Sequence, residues 1–419
     1  MVKDNNISDK KHSNWKAQTI LFISSQTISL FGSALVQFAI IWYIARTTNS
    51  GIMVTISTIC SFLPQLVISL FAGVWADRYN RKILIILSDG LIATSTLVLA
   101  IVFLLGYNSM WLLFLVAAIR SFGAGIQTPA VSAMIPQIVP EEKLMRVNSI
   151  NGTIMSMIFF VAPAIGGAIL VYGALEYILF IDVFTAITAI AIMLTLKVTV
   201  HKKALEKQET DYFYDLREGI KYSFKNNFVR SLISFYSITM FLVVPAAFLN
   251  VLMVTRTYGS EYWKLTANEM CFFAGSIIGG IIMSSWGGFK NRVVSIAVGC
   301  LAFGALTVAI GVIDEFYVYL GIMVLTGMTM PLFNVPSMVL LQEKVENNMQ
   351  GRVFSFVQIA ASLVMPLGMA VFGPLADVVK IQVLMILSGA ALILVGISIF
   401  YNKPFLKEGL KTIEEVGLN

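Results

Sequence analysis

The amino-acid sequence predicts an all-α membrane protein in which twelve transmembrane helices form two six-helix bundles. Of its 419 residues, 58% are hydrophobic and only 12% are charged, and the mean hydropathy is +0.83. A soluble protein is usually about 45–50% apolar and about 25% charged, so lipid must cover much of this chain. The longest polar segment, residues 201–230, lies in the middle of the chain and separates six apolar runs from another six.

Each of the twelve runs supplies the roughly 20 mostly apolar residues that a helix needs to cross a bilayer. We place the spans at 20–44, 52–75, 83–105, 110–134, 148–171, 177–197, 231–254, 266–285, 293–312, 316–340, 354–373 and 381–401. They divide the chain into an N-terminal tail (1–19), a first bundle (20–197), a central loop (198–230), a second bundle (231–401) and a C-terminal tail (402–419). The first run is not expected to be a cleavable signal peptide, because Gln37 and Trp42 continue it without a cleavage site.

The distribution of basic residues predicts the orientation. With both termini on one face, 24 of the 29 Lys and Arg residues fall in the tails and loops of that face. Cytoplasmic segments carry this excess, so we expect a multi-pass protein of the cell (plasma) membrane with both termini in the cytoplasm. The net charge of +6 then reflects topology and does not indicate a nucleic-acid partner. Residues 214–224 form either an amphipathic helix on the inner leaflet or a solvated tether.

Sequence motifs for catalysis or metal binding are absent. The three cysteines, Cys60, Cys271 and Cys300, lie inside apolar runs without a CxxC spacing, so neither a disulfide framework nor a metal site is predicted. The sequence contains no phosphate-binding GxxxxGK[ST] loop and no HExxH. We therefore expect no ATP hydrolysis, no cofactor and no enzymatic activity.

Residues 71–86, FAGVWADRYNRKILII, place four charges between two long apolar runs. Arg78, Arg81 and Lys82 can serve as positive-inside anchors, but Asp77 has the wrong sign for that role. An acid at a helix end can accept hydrogen bonds from neighbouring helix N-termini or pair with a base across the loop. The stretch is therefore interpreted as a conformational latch, and simple membrane anchoring is the alternative.

The same loop resembles the signature G-x-x-x-D-R-x-x-R-K of the major facilitator superfamily, which Gly73, Asp77, Arg78, Arg81 and Lys82 match in full. In the fourth span, AIRSFGAG places Arg120, Gly123 and Gly125 where that superfamily has an intramembrane arginine. The resemblance implies the major facilitator fold, a central cavity and alternating access. A channel is disfavoured because the signature belongs to carriers whose two halves rock against one another.

Two further resemblances concern the direction of transport. In the fifth span, Pro163, Gly166 and Gly167 resemble the bend motif of drug antiporters, but Ser149, Ile158 and Ala162 replace its upstream glycines. Through FLPQ, DRYNRK, IRSFGAGIQTPA, VPEEKL and IDV, the chain is similar to the macrolide-efflux (Mef-type) transporters. This resemblance implies export of small amphipathic drugs, macrolide-type antibiotics above all, by proton antiport.

Three ionisable residues lie well inside spans, where a charge costs about 2.5–3.5 kcal/mol on insertion scales. Asp89 and Arg120 are predicted at heights about 5 Å apart along the helix axes, so they can form a switchable ion pair or a static one. Asp182 is favoured as the proton carrier, and its alternative role is a helix-end acid that reaches the outer water. Glu269 is a weaker candidate for the same function.

The substrate cavity is predicted to be large and mostly apolar, with a few polar groups in its wall. The candidate lining residues are Gln26, Gln37, Trp42, Tyr236, Asn250 and Asn334. Gly275 and Gly279 form a GxxxG pair that indicates close helix packing. We expect a monomer whose partners are the substrate, protons and the lipid bilayer. Uptake of a small metabolite and a non-transporting receptor or scaffold are the competing functions.

Overall fold

The computed structural model describes residues 15–196, 212–346 and 349–410. Within these ranges, twelve helices are long and apolar enough to cross a membrane, which confirms the predicted number. We number them α1 Trp15–Thr48, α2 Gly51–Arg78, α3 Arg81–Leu104, α4 Met110–Ile138, α5 Leu144–Tyr172, α6 Leu175–Thr195, α7 Asn227–Tyr258, α8 Tyr262–Trp286, α9 Arg292–Val312, α10 Phe316–Lys344, α11 Gln350–Val378 and α12 Ile381–Tyr401.

Contacts divide the chain into two compact units. The first unit comprises Met1–Thr47 and Ile56–Gln208, and the second comprises Thr48–Thr55 and Glu209–Asn419. The boundary is therefore not a simple cut in the central loop, because the short connection between α1 and α2 belongs by its contacts to the second unit. Most of the predicted N-terminal tail, residues 197–211 of the predicted central loop and residues 411–419 of the C-terminal tail lie outside the described residues.

An apolar core closes the first unit at the end of the bundle that carries the α2–α3 loop. Ala76 lies near the end of α2 and Ile85 near the start of α3, and both belong to one cluster with Met134 near the end of α4. Val147 at the start of α5 and Met193 at the end of α6 complete this cluster. Each of these side chains is at most 6% exposed, so the helix ends that flank the charged loop are held in fixed positions.

The second unit relies on close helix contacts. A Cβ added to Gly275 or Gly279 of α8 would overlap the carbonyl oxygen of Val324 or Met328 of α10. The predicted GxxxG pair therefore lets two helix backbones approach closely, which is how small residues act between membrane helices. A separate apolar core, which includes Leu232, packs elsewhere in this unit.

Helix α7 is longer and less regular than the predicted span 231–254. Its α-helical part contains Pro245 and ends at Phe248. A short α-helical segment, Asn250–Met253, and a π-helical turn, Val254–Tyr258, follow. Proline removes one hydrogen bond from a helix and crowds the preceding turn. Short π-helical turns inside α-helices frequently occur at functional sites, so the end of α7 is a place to look for function.

The predicted amphipathic segment of the central loop is helical over Tyr212–Lys225. This helix packs closely on α11, because a Cβ at Gly219 would overlap the backbone of Arg352. Its contact with the inner leaflet stays a prediction.

Candidate functional site

Arg120 and Asp182 form a buried ion pair in the first unit. Nη1 of Arg120 on α4 donates hydrogen bonds to Oδ2 of Asp182 on α6 and to Oγ1 of Thr96 on α3. Ser33 on α1 donates to Oδ1 of Asp182 at 3.4 Å. The side chain of Asp182 is only 1% exposed and that of Arg120 only 10%. The pair therefore joins four helices, and Asp182 does not reach water as a helix-end acid would.

A glycine lets α1 approach the ion pair closely. A Cβ at Gly32 would overlap Oγ1 of Thr185 and would lie 3.0 Å from Cα of Asp182. Ser33, the next residue on α1, then lies near enough to donate its hydrogen bond to Asp182. The local sequence thus brings a small residue and a hydroxyl against the one turn of α6 that carries the acid.

Asp89 on α3 is buried to the same degree but has a different environment. Its side chain accepts hydrogen bonds at Oδ1 from Oγ of Ser29 at 2.6 Å and from Nε2 of Gln127 at 2.8 Å. Its Oδ2 has no hydrogen-bond partner among the described residues, and neither does Nε2 of Gln26, which lies one turn from Ser29 on α1. The predicted heights along the helix axes made Arg120 a possible partner for Asp89, but the structure pairs Arg120 with Asp182.

The two buried acids differ in what balances their charge. The Arg120 guanidinium compensates Asp182 directly, whereas the hydrogen-bond donors that reach Asp89 among the described residues are all neutral. An isolated buried carboxylate is costly unless it is paired or neutralised. Asp182 also lies near enough to act electrostatically on Asp89. Asp89 is thus the acid that has an unused oxygen for a proton or another cationic group.

The charged loop between α2 and α3 binds the ends of three helices. Nε of Arg81 donates to the carbonyl oxygen of Ala76 at 2.9 Å, and its Nη1 donates to that of Ala133 at 2.8 Å. Nζ of Lys82 donates to the carbonyl oxygen of Leu196 at 2.7 Å, just after α6. Basic groups at helix C-termini satisfy the last carbonyls and favour the helix dipole. Arg81 and Lys82 therefore fix the ends of α2, α4 and α6 within the first unit.

The other members of the signature are less constrained. Gly73 and Arg78 are exposed, and a Cβ at Gly73 would meet no atom within 4 Å. Asn80 begins α3, and its side chain accepts a hydrogen bond from the backbone N–H of Lys82 at 3.0 Å. The side chain of Asp77 lies outside what the structure describes, so the latch stays a prediction.

The proline–glycine segment of α5 is buried but does not interrupt the helix. Pro163, Gly166 and Gly167 all lie inside α5 and are buried. A Cβ at Gly166 would lie 3.5 Å from Cδ2 of Leu35, which is an ordinary contact. The close approach at Gly32 is therefore much tighter than the one at Gly166, and the antiporter-like bend stays a prediction.

Glu269 lies in a polar cluster of the second unit at the irregular part of α7. The side chain of Asn250, in the short segment after Phe248, lies next to Glu269, and Nδ2 of Asn268 donates to Oε1 of Glu269 at 3.5 Å. Tyr319 on α10 donates to Oδ1 of Asn268 at 2.6 Å, and both of these side chains are buried. Two predicted site residues, Asn250 and Glu269, are thus brought together by α7 and α8.

Two more predicted cavity residues meet between α7 and α10. The hydroxyl of Tyr236 donates to Oδ1 of Asn334 at 3.4 Å, and the Tyr236 ring stacks on Phe333 with centroids 5.3 Å apart. In the first unit, Gln37 is partly buried, whereas Trp42 is only 1% exposed. The roles of these residues in substrate binding stay predictions.

The sequence reasoning missed four polar residues of the site, and only two of them had a signal in the sequence. Their side chains contact the buried acids or Arg120, and they are Ser29, Ser33, Thr96 and Gln127. On α1, the polar residues Gln26, Ser29, Ser33 and Gln37 recur every three or four positions. This spacing places them along one face of the helix, and that stripe could have identified Ser29 and Ser33.

Comparison with known proteins identifies the family to which the chain belongs. The Major Facilitator Superfamily matches residues 22–369 and 263–417 of the chain. Macrolide efflux protein A of Streptococcus pyogenes is 27% identical over 390 residues, which cover 93% of this chain and 96% of that protein. Macrolide efflux protein A of Enterococcus faecalis is 27% identical over 319 residues, which cover 76% of this chain and 99% of that protein.

Solved structures show the same fold at low identity. The nucleoside transporter NupG gives a TM-score of 0.68 at 16% identity, with 93% of this chain and 98% of that chain covered. A bacterial homologue of the human lysosomal transporter Spinster, in an inward-facing and unoccupied conformation, gives a TM-score of 0.70 at 14% identity, with 96% and 99% covered. The chain belongs to the Major Facilitator Superfamily, and it is a multi-pass membrane transporter of a small molecule, not an enzyme.

Proposed function

We propose that this transporter exports amphipathic drugs of the macrolide type across the cell membrane in exchange for protons. The observation that carries the proposal is Asp89, a buried carboxylate to which no cationic group is paired in the described part of the chain. The similarity to Macrolide efflux protein A, which covers 93% of this chain, supports it. No phosphate-binding loop is present in the sequence, so an ion gradient is the available source of energy.

Asp89 is the proposed proton carrier. Asp182 was the stronger candidate on sequence grounds, but its buried ion pair with Arg120 supports a structural role. Arg120 does not deprotonate in proteins, so it cannot carry the proton itself. Asp89 can be neutral while buried and can lose its proton when the carrier opens to water, because water stabilises the charged form. Ser29 and Gln127 hold Oδ1 in either state and leave Oδ2 for the proton.

The cytoplasmic loop is proposed to control the change of conformation. Arg81 and Lys82 hold helix ends inside the first unit, which leaves Asp77 as the signature residue with the wrong charge for an anchor. We assign it the role of a latch that stabilises one state of the alternating-access cycle. The excess of basic residues on the face of the termini supports a cytoplasmic location for both termini.

Substrate recognition is assigned to the polar groups of α1, α7 and α10. Tyr236 and Asn334 already share a hydrogen bond, and Tyr236 extends an aromatic surface with Phe333. An apolar pocket with a few polar groups suits an amphipathic drug.

A susceptibility panel with a gradient control tests the function. A drug-sensitive bacterium would express the wild type, the Asp89→Asn variant or the Asp314→Asn variant, whose acid lies on the surface. We expect the wild type and Asp314→Asn to lower macrolide accumulation and the Asp89→Asn variant to fail. Dissipating the proton gradient should abolish export by both active proteins.

The rival functions predict different results. An uptake carrier would accumulate a sugar or an amino acid in counterflow and leave macrolide levels unchanged. A receptor or scaffold would give no proton-coupled flux with any of these compounds. Either pattern, in cells that contain normal amounts of the protein, would contradict the proposed export.

A further inference from the structure

The connection between α1 and α2 is held by an acid at the end of α11. Asp377 accepts hydrogen bonds from the backbone N–H of Gly51 at 2.6 Å and of Ile52 at 2.9 Å. It also accepts one from Oγ of Ser50 at 2.8 Å. These N–H groups belong to the first turn of α2, which has no intrahelical acceptors and favours negative charge. Asp377 therefore caps α2 from a distant part of the sequence.

Arg256 completes the attachment from the π-helical turn of α7. It donates to Oδ1 of Asp377 at 2.8 Å and to the carbonyl oxygen of Asn49 at 2.6 Å. The same guanidinium also donates to the carbonyl oxygen of Ala376, near the end of α11. One side chain thus binds both the α1–α2 connection and the helix that caps it. The planar guanidinium directs its N–H groups to several acceptors at once, so it fixes geometry as well as charge.

Small residues allow the backbones to meet at this attachment. A Cβ at Gly51 would overlap the carbonyl oxygen of Gly373, and a Cβ at Gly373 would overlap Oγ1 of Thr55. Thr55 in turn donates to the carbonyl oxygen of Met369 at 3.1 Å. The start of α2 is therefore in direct backbone contact with α11, and contacts group Thr48–Thr55 with the second unit.

The sequence of this attachment repeats the core of the cytoplasmic signature. Residues 73–77 read GVWAD at the end of α2, and residues 373–377 read GPLAD at the end of α11. Both segments have the form G-x-x-A-D and end a helix with an acid. The orientation predicted from the basic residues places the first segment in the cytoplasm and the second outside.

We propose that Asp377 and Arg256 form an external latch, in which they are positioning residues that hold the α1–α2 connection on the second unit and release it when the carrier opens to the outside. The inference rests on the proposed alternating-access transport and on the proposed orientation. The connection contains only Asn49 and Ser50 between two long helices, so its release moves both helices. Arg256 lies in the π-helical turn of α7, and turns of this kind frequently occur at functional sites.

The interactions of the latch are weak enough for it to form and break reversibly. Exposed ion pairs contribute little on their own, and Asp377 is solvent-exposed. The cap adds hydrogen bonds to charged groups, and the loss of a helix cap commonly changes an equilibrium about tenfold. Such a latch favours the externally closed state without locking the carrier in it.

Distances between spin labels test the latch without any substrate. Labels would be placed at two exposed positions, Thr47→Cys and Val378→Cys, after Cys60 and Cys271 are replaced by alanine. Cys300 is only 1% exposed and can remain. The compared proteins, purified as full chains, are otherwise wild type or carry Asp377→Asn, Arg256→Gln, the mild Ser50→Ala or the control Asp314→Asn.

We expect Asp377→Asn and Arg256→Gln to raise the population with long distances about tenfold and Ser50→Ala to raise it by less. The Asp314→Asn control should match the wild type, although it removes the same charge from an exposed loop. An unchanged distance distribution in Asp377→Asn and Ser50→Ala would overturn the latch. The measurement uses no drug, so a failure of the proposed macrolide export would leave this result interpretable on its own.

Discussion

Replacing Asp182 by asparagine removes one partner of the buried ion pair with Arg120 and leaves the guanidinium uncompensated. Breaking a buried pair costs about 3–5 kcal/mol, because the remaining charge stays in a poorly solvating environment. Asp182 is 1% exposed and Arg120 is 10% exposed, so solvent offers little relief. We expect Asp182→Asn and Arg120→Gln each to lower the free energy of unfolding by about 3–5 kcal/mol.

The double variant Asp182→Asn/Arg120→Gln distinguishes the interaction energy of the pair from the interactions of each residue with its other neighbours. Since it removes both charges together, it should cost about as much as one single variant instead of the sum of the two. Equilibrium unfolding of the purified protein in detergent, followed by a double-mutant cycle, measures this coupling. The exposed pair Lys344–Glu408, whose side chains are 25% and 55% exposed, is the matched control and should couple by about 0–1 kcal/mol.

Asp89 should respond in the opposite way. Asparagine can still accept hydrogen bonds from Ser29 and Gln127, and the change removes a buried acid that has no cationic partner. We therefore expect Asp89→Asn to change the stability by less than about 1 kcal/mol while it disables proton coupling. The reasoning would be refuted if Asp182→Asn were nearly neutral, or if Asp182 coupled more strongly to Asp89 than to Arg120.

Three further predictions concern packing, the cytoplasmic latch and topology. Gly32→Ala should lower protein abundance and transport, because its Cβ overlaps α6, whereas Gly90→Ala, whose Cβ meets no atom within 4 Å, should be neutral in western blots and accumulation assays. Asp77→Asn should leave abundance near normal but reduce transport strongly, and normal transport by this variant would make the loop a simple anchor. A single cysteine at Asp314 should react with an impermeant reagent in sealed cells, whereas one at Lys207 should not, and labelling at Lys207 would contradict the orientation.

Much of the fold was predictable because the membrane imposes its own rules. Lipid provides no hydrogen-bond partners for the backbone, so each long apolar run must become a helix. That argument predicts twelve spans without knowledge of any contact. It does not predict the irregular end of α7. Pro245 was a visible signal for a helix break, but no residue in the sequence signalled the π-helical turn that contains Arg256. The actual turn depends on contacts with residues far along the chain.

The site was predictable in its residues but not in its pairing. A charged residue inside an apolar span is conspicuous, so Asp89, Arg120 and Asp182 were all identified. Asp89 and Arg120 were predicted at similar heights along their helix axes, which made an ion pair between them possible. Height does not show which faces of α3, α4 and α6 are in contact. The close approach at Gly32 positions Ser33 against Asp182, and a contact of that kind cannot be inferred from spacing alone.

Proton release on drug binding is the most direct test of the central claim, which is that Asp89 exchanges its proton for the substrate. The purified protein would be mixed with a macrolide in a weakly buffered solution that contains a pH indicator. We predict proton release from the wild type and from Asp314→Asn, and none from Asp89→Asn at saturating drug. Undiminished proton release from Asp89→Asn would contradict the account and would move the proton to another acid, with Asp182 and Glu269 the next to examine.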